Sequence, residues 1–138
     1  MSAPDLDELV RRATEVREKA YAPYSHYHVG AALLAEYGRI FVGANVENAS
    51  YGLCQCAERS AIGSAVAAGA RRFLALAVVT QGDAPGTPCG MCRQVLAEFP
   101  PSFPIRCATT SGAVLDTDVA SLLPHAFGPS HLGGSEPT

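Results

Sequence analysis

The feature that most constrains the fold of this chain is a pair of motifs, Cys56-Ala57-Glu58 and Pro88-Cys89-Gly90-Met91-Cys92. Their three thiolates suit one Zn²⁺ ion, so the fold has to bring two distant segments together. Structural zinc sites normally have four protein ligands, whereas catalytic sites have three and leave a position open for water. Glu58 follows Cys56 by two residues, so its carboxylate can lie beside the metal and carry protons. The motifs therefore predict a catalytic zinc centre.

The composition restricts the function further. The chain has a net charge of -3 and lacks a cluster of lysine and arginine that could face the phosphates of a nucleic acid. No apolar run approaches the roughly 20 residues of a membrane span, and the N-terminus does not match a signal peptide. Five cysteines, an odd number, favour metal binding in a reducing compartment. We expect a cytoplasmic protein with a small substrate, and neither nucleic acid nor membrane as a partner.

Hydrophobic periodicity predicts helices and strands in a characteristic order. Apolar residues at intervals of three and four predict a helix over 5–20, which Pro23 ends. Helices are also predicted to begin at the two metal motifs, over 56–69 and 89–99, with a brief one at 119–123. Short apolar runs predict strands at 29–35, 40–46, 74–80, 105–109 and 113–115. This order predicts an α/β fold, a three-layer sandwich whose mixed sheet of about five strands is flanked by helices.

The predicted elements account for one domain over residues 1–127, because the sequence contains no repeat or linker. The last segment, 128–138, is rich in Gly, Pro and Ser, which predicts a flexible C-terminal tail. The helix that begins at Cys56 is rich in alanine and poor in charge, which predicts that it is buried.

Both metal motifs occur in a wider pattern that resembles the cytidine deaminase family, in its small form with three cysteines. The resemblance covers roughly residues 5–127 and includes four further segments: Tyr24-Ser25, Val29–Leu34, Asn45–Tyr51 and Leu122–Phe127. It implies the family's sandwich fold, one Zn²⁺ per subunit and a homotetramer. It also implies hydrolytic deamination of free cytidine and 2′-deoxycytidine to uridine and 2′-deoxyuridine, with release of ammonia, in pyrimidine salvage.

The resemblance also assigns roles to single residues. Glu58 would carry the protons, while Asn45 and Glu47 would contact the ribose, especially its 3′-hydroxyl. Four more residues are assigned to the substrate site: Tyr27, which would stack on the base, Ala57, whose backbone would read the base edge, Tyr51 at a subunit boundary, and Phe127 from a neighbouring subunit. A ribose held through its 3′-hydroxyl excludes a polynucleotide, because a phosphodiester would occupy that position.

Charge balance assigns a role to Arg59. Three thiolates leave a Zn²⁺ site with a net charge of -1, which opposes the formation of hydroxide there. Both predicted helix N-termini draw charge from the sulfurs, and Arg59 is our candidate for a guanidinium bonded to a ligand sulfur. Cys56 is the expected first ligand rather than Cys54, because only Cys56 lies two residues before an acid. Cys107 and the four histidines, His26, His28, His125 and His131, are expected to stay outside the metal site.

Four other interpretations remain open. A deaminase of the same fold could act on a modified or blasticidin-type nucleoside, although Asn45 and Glu47 argue for an ordinary ribose. A zinc-stabilised binding module would need a fourth ligand, for which Cys54 is the only nearby candidate. A thiol redox protein would use Cys89 and Cys92, and tight zinc retention with loss of thiol reactivity would count against this interpretation. Editing of single-stranded RNA or DNA would need a basic, aromatic groove.

Overall fold

The structure is a computed structural model that describes residues 3–133. Within these residues, five strands form one mixed sheet in the order β2-β1-β3-β4-β5. The strands are β1 (Gly30–Ala35), β2 (Ile40–Ala44), β3 (Phe73–Thr80), β4 (Pro104–Thr109) and β5 (Val114–Asp118). The central pair, β3 and β4, is parallel, and the other neighbouring pairs are antiparallel. The predicted mixed sheet of five strands is therefore confirmed.

Helices cover both faces of this sheet. Helix α1 (Leu6–Arg17) packs on one face, against β1, β2 and β3, while α2 (Ala57–Ala67) and α3 (Gly90–Ala97) pack on the other. A short helix, α4 (Val119–Leu122), packs against α3. The predicted three-layer α/β sandwich is confirmed. No helix in the described part of the chain is long and apolar enough to cross a membrane.

The interior strand β1 shows how the sequence makes two cores. Ala31 and Leu33 point to the side of α2, while Ala32, between them, points to α1. All three are fully buried, so β1 is apolar on both faces, as a strand with helices on both sides requires. Helix α1 begins at a cap in which Asp5 Oδ1 accepts a hydrogen bond from Glu8 N at 3.0 Å.

Two predicted elements differ from the structure in ways that affect the site. The first helix ends at Arg17, not at residue 20, because tighter turns follow it and Tyr21 then pairs with the chain beyond β2. Segment 21–29 therefore runs beside the extension of β2. The predicted burial of the helix after Cys56 was wrong for one face: Ala61 and Ala65 are buried, but Gly63 and Ser64 are exposed.

The predicted C-terminal tail over 128–138 lies partly outside the described residues. Within it, Pro129–Leu132 forms one short 3₁₀ helix, which ends at Gly133 in the left-handed conformation with φ 83°. Residues 134–138 lie outside the described part of the chain, as do Met1 and Ser2.

Candidate metal centre and active site

Two helix N-termini bring the three motif cysteines together. Cys56 is the N-cap of α2 and Cys89 the N-cap of α3, while Cys92 lies in the first turn of α3. The sulfur of Cys89 lies 3.9 Å from that of Cys56 and 3.5 Å from that of Cys92, and all three sulfurs lie within 4.8 Å of one another. Tetrahedral zinc with bonds of about 2.3 Å requires sulfurs roughly 3.8 Å apart. The cluster therefore fits a zinc ion.

The electrostatics of the cluster favour ionised sulfur. A hydrogen bond with Cys92 lowers the pKa of Cys56 from 9.0 to about 5, and a hydrogen bond from Arg59 adds to the effect. The same bond with Cys56 raises the pKa of Cys92, because the proton is held between the two sulfurs. Both cysteines also lie at the positive ends of helix dipoles. These surroundings favour the thiolate form of Cys56, which is the form of cysteine that binds a cation.

Arg59, in the first turn of α2, lies against the sulfur cluster. Its Nη2 donates to Cys56 Sγ at 3.5 Å and to the carbonyl of Cys54 at 3.3 Å. Its Nε is buried and has no hydrogen-bond partner among residues 3–133. The guanidinium therefore places positive charge on the sulfur side of the site.

Glu58 is a buried acid next to the cluster. Its side chain is 5% exposed, and burial raises the pKa of its carboxyl from 4.5 to about 7, with a further increase from the charge of Cys56. A carboxyl with such a pKa exchanges protons readily near neutral pH. Glu58 also lines the same cavity as Cys56 and Cys89.

The cavity beside the cluster has a volume of about 350 Å³. This is the size range of sites for small molecules. Asn45, Glu47, Tyr27 and Ala57 line it together with Glu58. None of the described residues that line the cavity is a lysine or an arginine. The charged side chains that line it are the acids Glu47 and Glu58, so the cavity disfavours an anionic ligand.

Asn45 and Glu47 make hydrogen bonds with segment 21–29 and still have free capacity. Asn45 donates from Nδ2 to the carbonyl of Tyr27 at 2.8 Å and accepts at Oδ1 from Val29 N at 2.9 Å. Glu47 accepts from the backbone N–H groups of Tyr24 and Ser25, and from the Ser25 hydroxyl. An amide has two donor hydrogens and a carboxylate can accept about four bonds. Each side chain therefore has a hydrogen-bonding position left for a ligand.

Tyr27 and Ala57 line the cavity with side chains that differ in size and exposure. The Tyr27 side chain is 41% exposed, and its hydroxyl lies 3.0 Å from the position that a Cβ on Gly86 would occupy. Its ring therefore reaches from segment 21–29 towards the loop before Cys89. Ala57, the first residue of α2, is fully buried and adds a small apolar surface.

Tyr51 and Phe127 lie outside this cavity. Tyr51 is 73% exposed and packs edge-on against Tyr24, in a neighbouring hollow that Glu47 also lines. Phe127 is 57% exposed, stacks on His131 with ring centres 5.1 Å apart, and accepts a bond from Gln94 Nε2 through its carbonyl at 2.8 Å. Neither ring contributes to the cavity of its own chain.

The other cysteines and the histidines lie apart from the sulfur cluster. Cys54 lines the cavity, but its sulfur accepts a bond from Asn48 N at 3.4 Å and does not belong to the three-sulfur group. Cys107 is buried in β4, and burial raises its pKa from 9.0 to about 11. Within residues 3–133 no histidine joins Cys56, Cys89 and Cys92 in a potential metal site.

Sequence reasoning gave no role to several residues of the site. Ser25 holds the Glu47 carboxylate through its hydroxyl and its N–H, and Thr80 lines the cavity where β3 ends. Ser25 follows the tyrosine of the Tyr24-Ser25 motif, and Thr80 is the polar last residue of an apolar strand. Both features are visible in the sequence, but neither indicates which residue or cavity the side chain contacts.

A three-sulfur metal site that opens into a small-molecule cavity, with a buried carboxyl beside it, places this protein among the zinc-dependent hydrolytic enzymes. Comparison with known proteins gives the family. Residues 4–103 match the family model described as the cytidine and deoxycytidylate deaminase zinc-binding region. The chain belongs to the cytidine and deoxycytidylate deaminase family and is a zinc-dependent hydrolytic deaminase.

Relatives match the chain over nearly its full length. A cytidine deaminase of Sporosarcina psychrophila is 48% identical over 93% of this chain and 95% of its own. A cytidine deaminase of Halalkalibacterium halodurans is 46% identical over 89% of this chain and 94% of its own. The crystal structure of a cytidine deaminase from Burkholderia pseudomallei has a TM-score of 0.85 and 51% identity, and the match covers 88% of this chain and 98% of that one.

Proposed function

We propose that this protein deaminates free cytidine and 2′-deoxycytidine to uridine and 2′-deoxyuridine, with release of ammonia, in pyrimidine salvage in the cytoplasm. The observation that carries the proposal is Glu58, a buried acid with a pKa raised to about 7, beside a three-sulfur cluster in a cavity that no described lysine or arginine lines. Relatives named cytidine deaminase, with identities of 46–48%, support the choice of substrate.

Cys56, Cys89 and Cys92 hold the zinc ion in this proposal. When bound, zinc acts as a Lewis acid that allows water to attack near neutral pH. Arg59 contributes by bonding to Cys56 Sγ, which reduces the negative charge that the three sulfurs place on the site. The two helix dipoles act in the same direction.

Glu58 moves the protons. In its ionised form it takes a proton from the attacking water and gives it to N3 of the pyrimidine, while the oxygen bonds to C4. The second proton passes through Glu58 to the exocyclic amine, and the C4–N bond then breaks to release ammonia. Burial supports this role because a carboxyl with a pKa near 7 can both accept and donate a proton at neutral pH.

Asn45 and Glu47 bind the ribose in this proposal. Their free hydrogen-bonding positions, described above, match a sugar hydroxyl as acceptor and as donor respectively. A nucleotide would bring a negatively charged phosphate into a cavity that already holds the Glu47 carboxylate, and no described lysine or arginine lines the cavity to offset it. The site therefore favours nucleosides over nucleotides and polynucleotides.

The base lies between Tyr27 and the start of α2. The Tyr27 ring offers an aromatic face for stacking, and the backbone of Ala57 can bond the edge of the base. Both residues line the cavity that Glu58 lines, so stacking and proton transfer occur in one space.

The assembly we propose is a homotetramer in which neighbouring subunits complete each other's sites. Exposed apolar side chains support it: Tyr51 is 73%, Leu53 69% and Met91 62% exposed. Tyr51 and Leu53 belong to one short 3₁₀ helix, and large apolar side chains exposed close together are typical of interfaces. Phe127, which does not reach its own cavity, closes the cavity of a neighbour, and Tyr51 lies at the subunit boundary.

The test is ammonia release and the ultraviolet change on mixing zinc-loaded protein with four compounds: cytidine, deoxycytidine, deoxycytidylate and a cytosine-containing oligonucleotide. We expect turnover of the two nucleosides alone. Glu58→Gln should keep its zinc and lose about 10²–10⁴-fold in rate, which is the usual contribution of a general acid–base group. Substantial activity in Glu58→Gln would contradict the assignment of Glu58, and no turnover of either nucleoside would contradict the proposed substrate.

A further inference from the structure

One short segment of the cavity wall is held by two side chains that lie far apart in the sequence. The backbone N–H of His28 donates to Gln81 Oε1 at 3.2 Å, and the His28 carbonyl accepts from Arg17 Nε at 2.8 Å. Arg17 Nη2 donates to the same Gln81 oxygen at 2.9 Å. The peptide groups on both sides of His28 are thus fixed by the last residue of α1 and the first residue after β3. We name this pair, Arg17 and Gln81, the Arg17–Gln81 clamp.

Close packing puts Arg17 in this place. A Cβ on Gly30 would lie 2.0 Å from the carbonyl oxygen of Ala13 and 2.9 Å from Arg17 N, so α1 lies directly on the start of β1. The Arg17 side chain is only 13% exposed. A guanidinium loses hydration on burial, and here its closest acceptors are a carbonyl and an amide, while the exposed Glu18 carboxylate lies farther away, at 3.8 Å. The main effect of this arrangement is therefore to fix the position of the backbone, and the electrostatic stabilisation that it adds is small.

The same segment is held from the cavity side. The Asn45 side chain bonds to the Tyr27 carbonyl and to the Val29 N–H, and Tyr27 and Val29 both line the cavity. His26, just before them, has φ 59°, a conformation that side chains other than glycine adopt rarely. Strain of this kind persists when the surroundings determine the backbone at several points. The segment that carries Tyr27 is therefore held by Asn45 from the cavity side and by Arg17 and Gln81 from the other side.

We propose that Arg17 and Gln81 are positioning residues for substrate binding, which set the backbone that carries Tyr27 and thereby orient Asn45. The proposal rests on the proposed function, because it concerns the same cavity. The clamp touches neither the sulfur cluster nor Glu58, since its three bonds go to His28 and between its own two members. Its loss should therefore weaken nucleoside binding more than it slows the chemical step.

The experiment compares Arg17→Met, Gln81→Leu and Gln81→Glu with the wild-type protein, using cytidine. Gln81→Glu keeps an oxygen acceptor for both bonds, so it serves as the conservative variant. Arg11→Met is the matched control, because Arg11 is 64% exposed on the same helix and pairs with Glu8. Measurements are KM, kcat, zinc content and the amide hydrogen exchange of His28 and Val29.

We expect KM to rise about tenfold in Arg17→Met and Gln81→Leu, the contribution of one hydrogen bond to a charged group, with kcat within roughly twofold and zinc unchanged. Exchange at His28 should accelerate in both variants. Gln81→Glu and Arg11→Met should stay near the wild-type KM. The double variant Arg17→Met with Gln81→Leu should lose no more than either single one, because both remove the same clamp.

An unchanged KM in Gln81→Leu with accelerated exchange at His28 would overturn the proposal, because the segment would then be free without consequence for binding. A fall in kcat and zinc content equal to the change in KM would overturn it too, since it would indicate general structural damage. If the wild-type protein turns over neither nucleoside, the proposed function fails separately. The exchange data then decide the clamp alone, and unchanged exchange at His28 in Gln81→Leu would refute it.

Discussion

Burial has two consequences for the Glu58 carboxyl, one for chemistry and one for stability. The raised pKa keeps a proton available near pH 7. Ionisation costs free energy, however, because Glu58 is only 5% exposed. A group whose pKa is higher in the folded than in the unfolded protein stabilises the fold below its unfolded pKa, here 4.5, relative to higher pH. That relative stability is lost as the pH rises through about 7.

We therefore predict that zinc-free protein gains stability from Glu58→Gln as the pH rises. Between pH 4.5 and 8 the difference in unfolding free energy, variant minus wild type, should grow by about 3 kcal/mol, because one pKa unit corresponds to about 1.4 kcal/mol. Urea unfolding across this pH range measures it. Glu18→Gln is the control, since that side chain is 78% exposed. A difference that stays constant with pH would show that burial does not set the Glu58 pKa.

Two cysteines separated by one residue differ in their surroundings. Cys56 Sγ lies in the three-sulfur group, whereas Cys54 Sγ bonds to the backbone of Asn48. The same substitution at the two positions therefore separates metal binding from general effects of losing a thiol.

We predict that Cys56→Ser lowers zinc affinity by more than about 100-fold, which exceeds the usual effect of removing an outer hydrogen bond to a metal ligand. Cys54→Ser should keep one zinc per chain. Zinc content after dialysis against a competing chelator measures both. Equal zinc loss in the two variants would mean that Cys54 belongs to the metal site.

At the scale of the elements, the close approach of α2 to β2 depends on glycine at position 43, which has no side chain. A Cβ on Gly43 in β2 would lie 2.5 Å from Ala61 N and 2.6 Å from the carbonyl oxygen of Ala57. Those are backbone atoms of α2, which cannot move away without shifting the helix that carries Glu58. Gly63, on the exposed side of the same helix, has no atom within 4 Å of such a Cβ.

We predict opposite effects for alanine at these two glycines. Gly43→Ala should destabilise the protein by about 1–3 kcal/mol, as overpacking usually does, and should lower activity by displacing α2. Gly63→Ala should stabilise it by about 0.5–1 kcal/mol through helix propensity. Urea unfolding at one fixed protein concentration compares them. Equal effects at both positions would exclude close packing of β2 and α2 as the cause.

Element type followed from the sequence, whereas some element ends did not. The apolar run before Thr80 and the alanine-rich run after Cys56 have the period of a strand and of a helix, and each forms the predicted element. The end of α1 differs because Tyr21 exchanges backbone bonds with Asn45 and Glu47. A pairing between residues so far apart leaves no periodic signal in either segment.

At the scale of the whole molecule, the position of Phe127 bears on whether one chain forms a complete cavity by itself. Its ring stacks on His131 and does not line the cavity of its own chain. In the proposed homotetramer each cavity depends on a neighbour for this ring, so one intact Glu58 and one intact Phe127 are enough when they belong to adjacent subunits.

We predict that Phe127→Ala and Glu58→Ala proteins, both poorly active alone, recover activity when their subunits mix. Phe127→Ala alone should lose roughly tenfold in kcat/KM, the scale of a lost stacking contact with a base. The control mixes Glu58→Ala with a chain that carries both changes, so that no subunit has an intact Glu58. Subunit exchange is followed by mass spectrometry of tagged chains. Mixing without recovery, although exchange occurs, would refute shared sites.

The sequence by itself determined the metal chemistry and the sandwich fold, because ligand type, motif spacing and hydrophobic period are local properties of the chain. Only the tertiary structure decided the rest. The burial of Glu58, the clamp on His28 and the positions of Tyr51 and Phe127 outside the cavity depend on contacts between residues far apart in the chain. Such contacts form when packing brings elements together, so no single segment encodes them.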